Sequence, residues 1–241
     1  PSVVADSFLD SWAPSANYGL SDIIYARSGY IKTPLLRFQL PALPAGATVK
    51  QASLRLLPLY CSNAQDILLE AHKVLRPWDE MMATYQQASA GDPWGKAGAE
   101  DTSTDRSATV LATTYLRDAN AWAEMDVTQA VKEWYQAPES NLGLLLRASS
   151  TGSVEFRLAS SQHTCVDCRP QLIITLDTSG TPVAATATPT RTSTPVATAT
   201  PTRTNTPAAT ATPTRTSDAS NTATPTDTPN SAVTATHTFT P

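Results

Sequence analysis

The sequence predicts an all-β protein: a jelly-roll-type β-sandwich with one short helix, followed by an extended, polyproline-II-like tail. Three observations support this fold class. Short segments alternate between apolar and polar residues, turn-forming Gly, Pro, Asn and Ser separate them, and the composition changes sharply near Asp177. We therefore expect a sandwich domain over residues 1–176 and a separate tail over residues 177–241.

The strands are predicted where apolar residues recur at every second position. Ala52, Leu54 and Leu56 fall on one side of their segment, and Val154 and Phe156 begin a similar series that continues at position 158. Further strands are predicted at residues 3–9, 35–40, 67–74, 121–126, 143–148 and 172–176. Many short strands joined by turns are typical of a two-sheet sandwich.

One short helix interrupts the strands at Thr128–Gln136. Thr128 can act as its N-cap, because a hydroxyl oxygen can accept a hydrogen bond from a free backbone N–H group. Val131 and Trp134 lie at helical spacing on one face, and Pro138 ends the helix.

The aromatic residues divide into two groups by their surroundings in the sequence. Trp78, Trp122 and Trp134 flank strands or the helix, which predicts core positions. Aromatic residues on turn-rich segments can instead stack on a sugar face or meet another protein. These candidates are Trp12, Tyr18, Tyr30 and Trp94, the last within a long polar segment at residues 82–105.

The tail carries a repeat of twelve residues. Thr-Pro-Thr-Arg begins at Thr188 and recurs at Thr200 and Thr212, and a version with Asp in place of Arg begins at Thr224. Alternating Thr and Pro favours polyproline II, which has three residues per turn, so a twelve-residue period places the prolines along one edge. Thr-rich, Pro-rich segments are typical of O-glycosylated stalks. The candidate O-glycosylation sites are Thr188, Thr190, Thr192, Thr200, Thr202, Thr204, Thr212, Thr214, Thr216, Thr224 and Thr226.

The three cysteines favour an oxidising compartment. Cys165 and Cys168 form a Cys-x-x-Cys pair that leads into a strand rather than opening a helix, which disfavours a thioredoxin-like site. We expect a disulfide, either from Cys61 to one of these two or between Cys165 and Cys168. The chain begins at Pro1, so we also expect that a signal peptide has been removed and that the protein is extracellular or at the cell surface.

Charge and residue usage disfavour several classes of function. The net charge is -4 and the basic residues are scattered, so we expect no nucleic-acid partner. No apolar run approaches the roughly 20 residues that a membrane span needs. No catalytic motif is present, so we predict that the protein is not an enzyme. We expect no cofactor, although Asp6, Asp10 and Asp22 could hold a structural calcium ion.

Residues 5–176 resemble the DNRLRE-type domains, a family of secreted jelly-roll modules that includes some carbohydrate-binding modules. The matching segments, in order, are Ala5-Asp6-Ser7, Asn17-Tyr18-Gly19, Leu36-Arg37-Phe38-Gln39-Leu40, Ala52-Ser53-Leu54-Arg55-Leu56, Trp78-Asp79-Glu80 with Thr84-Tyr85, Trp122 with Asp126-Val127-Thr128, Val131 with Trp134, Gly143-Leu144, and Arg169-Pro170 with Leu172. The resemblance implies a jelly-roll fold and no catalytic residues. It also implies that the domain could bind an acidic polysaccharide such as alginate.

Two hypotheses for function follow. The first is a structural subunit of an extracellular, glycosylated filament or surface coat, in which covalent glycans coat the tail and the tail connects neighbouring subunits by self-association. The alternative is a carbohydrate-binding module with a linker, taken from a larger secreted polysaccharide-active enzyme or adhesin. A binding module would retain polysaccharide without its tail, whereas a filament subunit would lose its assembly.

Overall fold

A computed structural model describes residues 1–178. Within this range the chain forms thirteen β-strands, one α-helix and two short 3₁₀ turns. The strands are β1 (Ser2–Asp10), β2 (Ile23–Arg27), β3 (Lys32–Gln39), β4 (Thr48–Leu56), β5 (Pro58–Cys61), β6 (Ile67–Lys73), β7 (Gln87–Ser89), β8 (Asp92–Pro93), β9 (Ala112–Leu116), β10 (Ala123–Asp126), β11 (Leu144–Ser149), β12 (Glu155–Ala159) and β13 (Gln171–Asp177). Helix α1 spans Thr128–Gln136, and the 3₁₀ turns span Pro138–Ser140 and Val166–Cys168. The expected all-β fold with one short helix is confirmed.

Two antiparallel sheets form the body of the domain. The larger has eight strands in the order β5-β12-β2-β3-β11-β6-β9, with β1 paired to β3 outside this path. The smaller has the order β10-β4-β13. Apart from β2 and β3, paired neighbours in both sheets are distant in sequence, so hairpins alone cannot build them, and the chain crosses repeatedly as in a sandwich.

The main core lies where the two sheets and the helix pack together. Phe8, Leu36, Leu54, Phe156 and Trp134 are all fully buried within one apolar cluster. The period-two pattern places one side of each strand in this cluster, and the helix adds the face that carries its tryptophan. Burial of these large side chains is the main source of stability in a domain of this size.

A second apolar cluster covers part of the other face of the larger sheet. Leu35 and Leu145 belong to it, although Leu36, the next residue in β3, belongs to the main core. Trp78 and Trp94 come from the long segment between β6 and β9 and pack onto this face. The long polar segment predicted at residues 82–105 therefore serves as a packing layer, because its few apolar side chains close over the centre of the sheet.

The predicted cap of helix α1 is wrong. Val127 is the N-cap residue, and Thr128 is the first residue inside the helix. The Thr128 hydroxyl instead accepts a hydrogen bond from the backbone N–H of Ala52, at 2.8 Å. The backbone N–H of Thr128 donates to the carboxylate of Asp126, at 2.9 Å. The threonine therefore ties the helix to β4 rather than satisfying the helix end.

The repeat tail and its candidate glycosylation sites, from Thr188 onward, lie outside the described residues. Among residues 1–178, no helix is long and apolar enough to cross a membrane.

Candidate functional site

Three strands at one end of the larger sheet carry a row of aromatic and basic side chains. In the pairing register, Arg157 of β12 lies opposite Tyr25 of β2 and opposite Tyr60 of β5. The Arg157 guanidinium carbon is 5.5 Å from the centre of the Tyr25 ring and 4.5 Å from that of Tyr60. A cation therefore stands between two rings, in the range where cation–π attraction holds all three in place.

A second, mainly charged row runs beside the first. Arg27 lies opposite Glu155 on one side and opposite Lys32 on the other. Glu155 accepts a hydrogen bond from the Lys32 ammonium at 2.9 Å and is 3.5 Å from the Arg27 guanidinium. The same carboxylate is 3.8 Å from Arg157. One carboxylate is thus shared by three cations, so the two rows together carry an excess of positive charge.

Trp12 stands at the margin of these rows. It is 62% exposed, and its ring centre lies 4.5 Å from the Arg27 guanidinium carbon and 6.0 Å from the Lys32 nitrogen. Its backbone N–H donates to the carboxylate of Asp10 at 2.9 Å, which holds the turn that presents the ring. We call the set Trp12, Tyr25, Tyr60, Arg27, Lys32 and Arg157 the basic aromatic face.

The face is supported from below by a chain of aromatic contacts. Tyr18 stacks on the buried Phe8, with ring centres 4.0 Å apart, and Phe8 contacts Tyr25 at 5.1 Å. The Tyr18 hydroxyl donates to Asp10 at 3.5 Å. Burial, and then the nearby Asp10 carboxylate, raise the pKa of Tyr18, so the phenol keeps its proton as a donor. Tyr18 is therefore a supporting residue rather than an open contact surface.

Such an arrangement can hold an extended ligand that has both apolar faces and negative charges. Exposed aromatic rings offer flat apolar area together with rigid side chains, and guanidinium groups form paired hydrogen bonds with carboxylates. Tyr60 is 45% exposed, so this residue, like Trp12, is open to a ligand. The basic aromatic face therefore suits a chain of sugar rings bearing carboxylates.

The other predicted contact residues lie apart from this face. Tyr30 has a left-handed backbone, with φ 58°, in the turn between β2 and β3, and its ring lies 3.6 Å from the guanidinium carbon of Arg147. Trp94 was expected on an open loop, and this is wrong. It is 4% exposed, and its indole N–H donates to the carbonyl of Thr84 at 2.8 Å, because the long segment folds back to bury it in the second core cluster.

The cysteines and aspartates have mainly structural surroundings. Cys165 and Cys168 form a disulfide, which selects the local pairing from the alternatives, and Cys61 is a free thiol. Among residues 1–178, no group of three or more His, Cys, Asp or Glu side chains is placed to hold a metal ion. The candidate calcium ligands Asp6, Asp10 and Asp22 are therefore not gathered as a cluster of side chains.

Sequence reasoning missed most of the basic aromatic face. The alternation in β12 did carry the signal, since placing Phe156 in the core leaves Glu155 and Arg157 on the opposite side. In β2 the same reading of Ile24 and Ala26 would have placed Tyr25 on the outer side. Ile23 and Ile24 stand side by side in β2, and β5 is Pro-Leu-Tyr-Cys, so neither segment shows the regular alternation that identifies a strand.

Comparison with known proteins adds one finding. The sequence model of carbohydrate-binding module family 96 matches residues 2–176. The matched region includes all of the residues that carry the resemblance described above. A comparison with curated proteins found no match.

Proposed function

Because the chain belongs to carbohydrate-binding module family 96, we propose that its sandwich domain binds an acidic polysaccharide on the basic aromatic face. The observation that carries the proposal is the row in which Arg157 stands between Tyr25 and Tyr60 on three adjacent strands. A polymer lying across these strands would meet a ring, a cation and a second ring in turn. Trp12 would then extend the contact at the margin of the sheet.

The two kinds of side chain act on different parts of a sugar. An aromatic ring covers the apolar side of a pyranose and removes it from water, which favours binding in proportion to the area buried. Arg27, Lys32 and Arg157 attract carboxylates, and Glu155 offsets only part of their charge. Neighbouring strands are about 4.8 Å apart, so the two tyrosine rings lie roughly 10 Å apart along the row. A polymer could therefore span both.

The charged part of the interaction predicts a dependence on salt. The cations on this face are partly exposed, with 20% of the Arg27 side chain and 44% of the Arg157 side chain accessible. Attraction between partly exposed charges is screened by dissolved ions, whereas ring stacking is not. Binding of an acidic polymer should weaken with added salt without disappearing.

In this proposal the domain binds polysaccharide outside the cell and catalyses no reaction. The Thr/Pro-rich tail is then a glycosylated linker to another module. The family is one of binding modules, which supports this assignment over an enzyme. A filament or surface-coat subunit is the second candidate. The twelve-residue repeat of the tail favours it, while the family assignment supports the binding module better. Electron microscopy of the full chain, with and without residues 177–241, distinguishes the two, because only a filament subunit forms tail-dependent fibres.

Retention of the full chain in gels containing alginate tests the proposal. We expect the wild type to be retarded and the variants Tyr60→Ala and Arg157→Gln each to bind about tenfold more weakly, since the central aromatic and arginine contacts of an interface are those that cost more than about 1 kcal/mol when removed. Met82→Ala is the matched control, because Met82 is 47% exposed, close to the 45% of Tyr60, and is not one of the residues of the face. Equal retention of all variants would contradict the proposed site.

A further inference from the structure

We propose that a cleft at the opposite end of the larger sheet is a second glycan-binding site, selective for neutral hexopyranose units. The cleft has a volume of about 490 Å³. Tyr115, Leu68 and Ser149 form its floor, and Gln65 and Asp66 lie beside them. We call this set, with the adjoining residues 150 and 151, the Tyr115 cleft. This site is separate from the basic aromatic face and does not depend on the function proposed for it.

The floor of the cleft is fixed by strand pairing. Leu68 of β6 lies opposite Tyr115 of β9 on one side and opposite Ser149 of β11 on the other. The three side chains therefore form a row across three neighbouring strands, as an aromatic ring, an aliphatic side chain and a hydroxyl. Because the strands are held by backbone hydrogen bonds, the spacing of this row is set before any ligand binds.

The Tyr115 ring is open to a ligand and is also held in position. It is 50% exposed. The Arg117 guanidinium carbon is 5.2 Å from the ring centre, and its Nε atom is 3.7 Å from an Asp66 carboxylate oxygen. Arg117 is not among the residues that line the cleft. It thus links the ring and the carboxylate from outside, so both are oriented while the cleft stays open.

The polar groups around this ring match the hydroxyls of a sugar. Asp66 can accept hydrogen bonds from two neighbouring hydroxyls, and Gln65 can both donate and accept. Ser150 and Thr151 add two more hydroxyls to the lining. An aromatic floor surrounded by a carboxylate, an amide and several hydroxyls binds a ring that is apolar on its face and hydroxylated at its edge.

Charge separates this site from the basic aromatic face. The described residues that line the Tyr115 cleft include a carboxylate and no Lys or Arg. Arg117 already pairs the Asp66 carboxylate from outside the cleft, so the lining offers a uronate carboxylate no free cation to bind, whereas the hydroxyls of a neutral sugar meet both donors and acceptors. The cleft therefore favours neutral units where the basic aromatic face favours charged ones.

The two sites lie at opposite ends of one sheet. The strand path runs from β5 to β9, with the tyrosines of the face on β2 and β5 and Tyr115 of the cleft on β9. The loop that lines the cleft continues to Ser153, whose hydroxyl accepts a hydrogen bond from Arg27 at 2.9 Å, so the two sites adjoin along this loop. A polysaccharide that contains both acidic and neutral stretches could bind both, and the second contact would then be intramolecular and favoured by high effective concentration.

The test is isothermal titration calorimetry, in which the full chain is titrated separately with cellohexaose, mannohexaose and maltohexaose. We expect at least one neutral hexasaccharide to bind, Tyr115→Ala to weaken this binding about tenfold or more, and Tyr115→Phe, which keeps the ring, to retain it. Trp12→Ala should leave neutral binding unchanged. Met82→Ala, at 47% exposure against 50% for Tyr115, is the matched control.

Two results would overturn the proposal. One is the absence of heat with all three neutral hexasaccharides at millimolar concentration. The other is neutral binding that persists in Tyr115→Ala or is lost in Trp12→Ala. A parallel titration of the same variants with an alginate hexasaccharide keeps the two sites distinguishable. Loss of alginate binding in Trp12→Ala concerns only the basic aromatic face, and loss of neutral binding in Tyr115→Ala concerns only the cleft.

Discussion

Replacing Asp6 by Asn should change how the stability of the domain depends on pH. Asp6 lies in β1, is 1% exposed, and accepts a hydrogen bond from the backbone N–H of Ser161 at 2.6 Å. Burial raises the pKa of this carboxyl from 3.8 to about 6, although the hydrogen bond from Ser161 acts in the opposite direction. The nearby carboxylate of Glu80 raises it further, and Arg169 lowers it.

The magnitude follows from the difference between the folded and unfolded pKa. Each pH unit corresponds to about 1.36 kcal/mol, so a pKa raised from 3.8 to about 6 corresponds to about 3 kcal/mol. The folded state binds this proton more tightly than the unfolded state does. The stabilising contribution is therefore complete below about pH 3.8 and is lost as the pH rises through 6. At pH 7 the Asp6 carboxyl is ionised, and the wild type has lost this contribution of about 3 kcal/mol.

Urea unfolding of the wild type and of Asp6→Asn at several pH values from 4 to 8 measures the effect. The Asn side chain can change the free energy of unfolding by an amount that does not depend on pH. Beyond this constant difference, the free energy of unfolding of the variant relative to the wild type should rise by up to about 3 kcal/mol from pH 4 to pH 8. Asp126→Asn is the control. Hydrogen bonds from Thr128 lower the pKa of Asp126 below 3.8, so its stabilising contribution is complete above about pH 3.8 and its relative stability should stay nearly constant over this range. Parallel curves for the wild type and Asp6→Asn would refute the reasoning.

Three further predictions concern stability. Gly143→Ala should destabilise the domain by roughly 3 kcal/mol or more in urea unfolding. The reason is that Gly143 has φ +95° and an added Cβ would lie 2.4 Å from the Leu36 carbonyl oxygen. An unchanged unfolding midpoint would contradict this. The double variant Cys165→Ser/Cys168→Ser should lose about 2 kcal/mol at most, since the disulfide closes a very short loop, and a larger loss measured by thermal unfolding would refute that estimate. In His72→Gln the free energy of unfolding should fall less steeply with decreasing pH below about pH 6.5, because burial, and then a neighbouring arginine, lower the pKa of His72. A fall as steep as that of the wild type would argue against this.

The parts of the fold that could be predicted are those with long, regular patterns. Helix α1 was predicted with the bounds Thr128–Gln136, because its helical spacing and the following proline leave little choice. The alternation over Ala52–Leu56 predicted the second half of β4, which begins four residues earlier, at Thr48. The strands β2, β5 and β9 were missed, since their sequences, Ile-Ile-Tyr-Ala-Arg, Pro-Leu-Tyr-Cys and Ala-Thr-Thr-Tyr-Leu, place apolar residues side by side and show no clear period of two.

The candidate site was harder to predict because it depends on which strands become neighbours. Trp12 was identified as an exposed aromatic, and the structure places it beside Arg27. Tyr60 and Arg157 are almost a hundred positions apart in the sequence, and only the pairing of β5 with β12 brings them together. The burial of Trp94 was missed for the same kind of reason, since composition alone does not show that a polar segment folds back over a sheet.

The most direct test of the account is a map of where an acidic oligosaccharide binds. The isotopically labelled full chain is titrated with an alginate hexasaccharide, and the backbone and indole N–H resonances are monitored by correlation NMR. We expect the largest chemical-shift changes in β2, in β5, at the start of β12 and in the Trp12 indole. Arg157→Gln should reduce these shifts, and Met82→Ala should not. Shifts confined to other surfaces, or no shifts at millimolar ligand, would contradict the assignment of the basic aromatic face as the binding site.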